Sequence, residues 1–379
     1  MKTTTHRNLV DLGQYLIVVV TVAALALLLN AFANGQEMPR IQQPAGAINT
    51  PEAVALGKGC FFSTWTSTTG QKSCASCHEP ERAWTNNRPV SQGVNGAEGI
   101  RTSVSIVDAC LDRAQFRDGR ADFLEEQALQ PIKAAAELGK QTPEQMCARM
   151  NQVKYFHDAF IAVFGEPRNR NENPVTPDRF ARVVAAFERT ILHGEAPIDR
   201  RNAGEKHVWD KDTEHGYLVF GSSGCTECHV GAAFSDGKFH DILGATRDRN
   251  GQRDRGRQNA TKDAADRDLF KTPRLRDVQD RAPYGHSGNF DTMAAMIHYL
   301  GNPTVEIQDD GTNRIEVTRQ DWNEYDEACL TLFMLTAFKS YNPPIVKAPD
   351  DLPVDPRSTQ AQVVQNDNQG QGRGRRGRR

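Results

Sequence analysis

The sequence predicts a mainly α-helical fold divided into two modest domains with long loops, and three observations predict it. Apolar residues recur at helical spacing in the segments 123–132, 146–164, 180–192, 293–300 and 322–338. Alternation of the kind that builds half-buried strands is scarce. At 379 residues the chain exceeds one minimal domain and fits two of ordinary size plus tails.

Taken in order, the chain begins with Lys2, His6 and Arg7, an uncharged apolar run from Tyr15 to Leu29, and then Ala31-Phe32-Ala33. A basic start, a short hydrophobic middle and small residues two apart are the layout of a secretory signal over 1–33, with a mature start near Asn34. An uncleaved anchor is the rival reading, although the run is shorter than the ~20 apolar residues that cross a bilayer. Either way the body is expected on the far side of the membrane, in the periplasm, free or anchored by its N-terminus. Residues 34–50 are polar, with Pro39 and Pro44, and suit a flexible lead-in.

Thr50 as N-cap and Pro51 as first helical residue open the ordered body. The stretches 165–177 and 194–205 lack apolar periodicity and hold turn residues, so the domain junction is expected near 195, between units 51–195 and 196–346. From Lys347 the chain is rich in Pro, Gln, Asn and Asp and ends in GQGRGRRGRR. Such a segment buries too little apolar surface to order itself, so 347–379 is expected to be a disordered tail. With 46 basic and 48 acidic residues and a formal net charge of -2, the balance gives no support to nucleic-acid binding.

The chemistry is carried by CASCH at 74–78 and CTECH at 225–229. Each places two thiols three positions apart with an imidazole directly after them. On one turn of backbone, Cys74 and Cys77, or Cys225 and Cys228, can bond the two vinyl groups of a haem while His78 or His229 reaches its iron. Eight cysteines and ten histidines would produce such a match by chance roughly 0.004 times in a chain of this length. Two matches therefore imply two covalently bound c-type haems. A zinc site would need both pairs to converge on one metal, and a redox dithiol would leave the histidines unexplained. Cys60, Cys110, Cys147 and Cys329 remain as structural residues, with a Cys110–Cys147 disulfide the first expectation in an oxidising compartment.

Beyond these motifs, the blocks KSCASCHEPERAWT (72–85), FRDGRADFLEEQALQPI (116–132), AAFERTI (185–191), GCTECHVGAAFSDGKFH (224–240) and FKTPRLRDVQDRAPYGHSG (270–288) resemble the bacterial di-haem cytochrome c peroxidase and MauG family. The resemblance runs from about residue 50 to 340 and implies two cytochrome-c-like haem domains facing each other. It implies peroxide chemistry at the first haem and electron transfer through the second. Glu137, with Gln127 ten residues before it, matches the family's acid/base pair, and Pro131 its pocket-lining proline. Where many members place a histidine that closes the first haem, this chain has Val94, which cannot bind iron. Arg117 stands where the family often has a relay tryptophan; Trp84 is a nearby alternative. Leu300 falls at the sixth-ligand position of the second haem, so Met296 is the leading substitute, ahead of Met293, Tyr299 or an open site.

The resemblance leaves open an interdomain calcium, whose expected positions read Thr102 and Arg281, and a homodimer. Its expected partners are hydrogen peroxide with either a small electron-donor protein, a cytochrome c or cupredoxin, or a protein substrate. The leading expectation is a di-haem peroxidase reducing hydrogen peroxide. The alternatives are a MauG-like enzyme oxidising residues on a partner protein, and a non-catalytic di-haem electron-transfer cytochrome with both irons six-coordinate.

Overall fold

The computed structural model describes residues 41–169, 171–242, 253–303 and 319–358. The expected signal segment lies outside them. No helix among the described residues is long and apolar enough to cross a membrane.

Helix α1 (Pro51–Phe62) starts as its sequence directs: the Thr50 hydroxyl accepts from Ala53 N at 3.2 Å, and Pro51 occupies the first turn, where its missing N–H costs nothing. A long stretch of 3₁₀ turns and loops follows, as far as α2 (Leu124–Lys133). The apolar spacing of 146–164 divides into α3 (Pro143–Asn151) and α4 (Lys154–Phe164), and α5 (Pro177–Glu188) completes the first half. In the second half come α6 (Pro197–Asn202), α7 (Lys211–Ser222), the single turn α8 (Cys225–Cys228), α9 (Gln258–Thr261), α10 (Met293–Gly301) and α11 (Glu324–Thr336). The only paired strands among the described residues are β1 (Phe239–His240) and β2 (Phe270–Lys271), antiparallel with Phe239 opposite Lys271.

Two buried apolar clusters form, one from residues between Ala53 and Ile191 and one from residues between Ala196 and Phe338. Each is built on one helix crossing, and the crossings are alike. In the first, Gly57 of α1 lies so close to α5 that a Cβ would stand 1.7 Å from the Val183 carbonyl oxygen. In the second, a Cβ on Gly216 of α7 would stand 2.0 Å from the Cys329 carbonyl oxygen of α11. One turn along, Phe61 meets Phe187 at 5.3 Å between ring centroids, and Phe220 meets Phe333 at 5.3 Å. Each such buried pair adds about 0.5–1.5 kcal/mol to the area it removes from water.

Two expectations need correction. Among the described residues all eight cysteines are free. Cys110 and Cys147 lie in different surroundings: Cys147 is an electrostatic neighbour of Cys60, whereas Cys110 is flanked by Asp108, Arg274 and Arg189. The unstructured tail also does not begin at Lys347. Val346 and Leu352 pack on the first cluster, and Asp355 is fully buried. Residues 347–358 are held by this packing and by an Asp355–Arg357 ion pair; the rest of the expected tail, 359–379, lies outside the described residues.

Candidate haem and peroxide site

The two attachment turns fold the way their spacing requires. His78 N donates to Cys74 O at 3.0 Å, and His229 N donates to Cys225 O at 2.9 Å, so each pair of thiols and its histidine share one tight turn. All four thiols are half-buried. Burial pushes each thiol in Cys74, Cys77 and Cys225 above its ordinary pKa, to about 11 for Cys225.

The histidines are held in the same way at Nδ1. His78 Nδ1 donates to Trp84 O at 3.2 Å, and His229 Nδ1 donates to Phe234 O at 2.9 Å. A carbonyl can only accept, so each proton is fixed on Nδ1 and the lone pair falls on Nε2, the arrangement a metal-bound imidazole needs. Desolvation lowers both imidazole pKa values, which favours the neutral, ligating form. Phe61 and Phe220, the aromatic residues of the two crossings, each lie 6.4 Å from the histidine ring of their own half. The chain therefore offers each haem two sulfurs, one oriented imidazole and an aromatic wall, which fits the group.

Glu137 is brought to the first turn by a reversal of the backbone. Pro131, inside α2, cannot continue the helix normally; Ala134 N and Leu138 N both return to Pro131 O, at 3.3 and 3.2 Å. Val94 N then donates to Glu137 O at 2.9 Å, and Gly93 packs where any Cβ would strike Ala136 O at 2.3 Å. Glu137 is half-buried and is an electrostatic neighbour of both Cys74 and Cys77. Desolvation raises its carboxyl pKa, with Arg120 opposing. Gln127 is half-buried on α2, and Val94 is buried with no atom able to bind iron.

Other expected residues are placed less directly. Trp84 is buried in the first cluster, 5.8 Å from Phe61 and 6.0 Å from Phe187, and its Nε1 donates to Pro344 O at 2.7 Å. Arg117 lies at the junction of the halves. Its guanidinium donates to the Thr102 hydroxyl, and its carbonyl accepts from Lys271 N at 2.8 Å. Burial lowers its pKa to about 10. Beside it, His286 stacks on Phe270 at 4.2 Å and gives its carbonyl to Thr102 N at 2.9 Å. Met296 is half-buried on α10, whereas Met293 and Ile297 of the same helix enter the second cluster. Cys228, Asp236 and His240 have ligand atoms within 4.8 Å of one another, but this trio includes one of the two thiols that the second attachment turn offers to haem.

Sequence reasoning missed Glu188. It ends α5 almost fully buried, with Oε2 unbonded among the described residues, and it acts on Cys74 electrostatically. Its neighbour Arg189 turns to Glu125 of α2, at 2.7 and 2.9 Å.

Two attachment turns, each beneath its own helix crossing, define a di-haem c-type cytochrome. The profile of the di-haem cytochrome c peroxidase family matches residues 51–207. The chain is 34% identical over 279 residues to the methylamine utilization protein MauG of Methylorubrum extorquens, covering 73% of this chain and 75% of that one. It is 33% identical over 291 residues to the cytochrome c551 peroxidase of Nitrosomonas europaea, covering 74% and 84%. Among solved structures, a MauG-like protein associated with microbial copper homeostasis superposes with TM-score 0.70 at 22% identity, over 86% of this chain and 97% of that one. The diheme peroxidase BthA of Burkholderia thailandensis does so with TM-score 0.67 at 19% identity, over 83% and 92%. This chain belongs to the di-haem cytochrome c peroxidase family, and it is a haem-c-dependent peroxidase oxidoreductase that reduces hydrogen peroxide.

Proposed function

We propose that peroxide is reduced on the Glu137 side of the first attachment turn, with electrons entering through the Cys225/Cys228 turn and a small cytochrome c or cupredoxin as donor. Cys74, Cys77 and His78 would hold a haem, whose iron would supply the redox chemistry of peroxide reduction. The balance is one hydrogen peroxide, two electrons and two protons to two waters. Glu137 carries the proton traffic: its carboxylate takes a proton from one peroxide oxygen and delivers it to the other, so that the bond breaks heterolytically. Desolvation raises the carboxyl pKa above its ordinary value, which makes the carboxylate a stronger proton acceptor. Val94 has no atom that could bind iron, and Gln127 and Pro131 would line the pocket.

The observation that carries this reading is the Glu137 carboxyl, half-buried and fixed by its own backbone beside both attachment thiols. Glu137→Gln should slow the reaction of the ferric protein with peroxide by about 10²–10⁴ with two haems still bound. An unchanged rate removes Glu137 from the mechanism.

At the second haem, Met296 is the proposed sixth ligand. Met296→Leu should then shift that haem's midpoint potential, because axial ligation tunes it; an unmoved potential rejects the assignment. We read the chain as exported to the periplasm, which N-terminal sequencing of the purified protein near Asn34 would support. Interdomain calcium is not part of the reading, since the Arg117 guanidinium occupies the Thr102 hydroxyl. A chelator should leave both haem spectra unchanged. A homodimer is tested by mass in solution.

A further inference from the structure

Residues 343–358 leave the second half of the molecule and return across the first. Trp84 Nε1 holds Pro344 O, Val346 and Leu352 enter the first cluster, and the strap closes on itself at Asp355 and Arg357. The fully buried Asp355 carboxylate accepts from Arg357 N and Nε, each at 2.9 Å, and from Arg357 Nη2. Arg357 Nη1 reaches Thr68 O at 3.0 Å, and the guanidinium lies over the Trp65 ring. Gly70, at φ +71, fits against the clasp where a Cβ would stand 2.8 Å from the Asp355 carboxyl carbon.

Thr68 passes this contact on. Its N–H donates to Leu138 O at 2.9 Å, and Gly139, at φ +96, lies so close that a Cβ would stand 2.1 Å from the Thr68 hydroxyl. Leu138 and Gly139 directly follow Glu137. The same loop runs on through Lys72, whose N–H is held by the Ser67 hydroxyl at 3.2 Å, into the first attachment turn at Cys74. On its open side the strap lines a cleft of about 560 Å³ with Lys72, Gly93 and Asn95, the loop that also grips Glu137 O through Val94.

We propose that the Asp355–Arg357 clasp is a positioning element of the peroxide site: through Thr68 it sets where the Glu137 carboxyl stands relative to the first attachment turn. The C-terminal segment of the second half is thereby part of the first half's chemistry. The inference rests on the proton-transfer role of Glu137, and its test separates the two.

The measurement is stopped-flow reaction of the full-length ferric holoprotein with peroxide across pH, together with haem content and thermal midpoint. Arg357→Ala should slow the reaction by about 10- to 100-fold, the order expected for a misplaced reacting group, with two haems bound and the second haem's spectrum unchanged. Arg357→Lys, which keeps one donor for Thr68 O or Asp355, should recover part of the rate; it serves alone if the alanine variant does not fold. In the Glu137→Gln background, Arg357→Ala should add no further slowing, because both changes remove one function. A lowered thermal midpoint with an unchanged rate and pH profile would show the clasp to be only structural, as would fully additive slowing in the double variant. If Glu137→Gln itself leaves the rate unchanged, the role of Glu137 fails; if Glu137→Gln slows the reaction and neither Arg357 variant does, only the clasp inference fails.

Discussion

Glu188 is almost fully buried and has no partner for Oε2 among the described residues. Desolvation raises its pKa to about 8, against the pull of Arg189 and with the push of Glu125. Its folded pKa thus exceeds its ordinary value of 4.5. The folded state holds a proton that the unfolded chain releases between those limits. Stability from this group is fully present below about pH 4.5 and is lost as pH rises through about 8, by on the order of a few kcal/mol. Glu188→Gln should remove that loss, so its thermal midpoint should exceed wild type by more at pH 8 than at pH 5; parallel curves would show the carboxyl ionised in the folded protein. The attachment residues were legible because covalent chemistry demands their spacing. Glu188 was not, though it stands in the quoted AAFERTI block, because nothing in a residue's identity reports its burial.

At the scale of elements, the repeated crossing does most to hold the two attachment turns. Gly57 and Gly216 each stand four residues before the phenylalanine that walls a histidine, and the facing helices carry Val183 before Phe187 and Cys329 before Phe333 at the same spacing. Gly57→Ala or Gly216→Ala would force a methyl group against a rigid carbonyl and should cost about 1–3 kcal/mol. Chemical denaturation should show a lowered midpoint for each, and an unchanged midpoint would mean the helices can separate freely. Periodicity located α2, α5, α10 and α11 because each buries one face. It did not separate α3 from α4, where the chain bends at Gln152 and Val153 within one continuous apolar pattern. The glycine–phenylalanine repeat was present in the sequence, but its meaning depends on a partner helix more than a hundred residues away.

Across the whole molecule, the halves have distinct duties that substitution can separate. Replacing Cys225 and Cys228 by alanine should leave one haem per chain and abolish turnover supported by an external donor, while the ferric first haem still reacts with peroxide. Retained donor-supported turnover would show that electrons bypass the second haem. The strap was illegible because polar composition argued for a loose end, whereas it is held by Trp84, by Val346 and Leu352 in the first cluster, and by a buried carboxylate and an arginine two residues on that meet a loop nearly three hundred residues earlier. That distance has a consequence for biogenesis. The first half cannot finish packing until residues 343–358 are in place, so the attachment turn made first is closed over by a segment that follows both haem motifs in the chain.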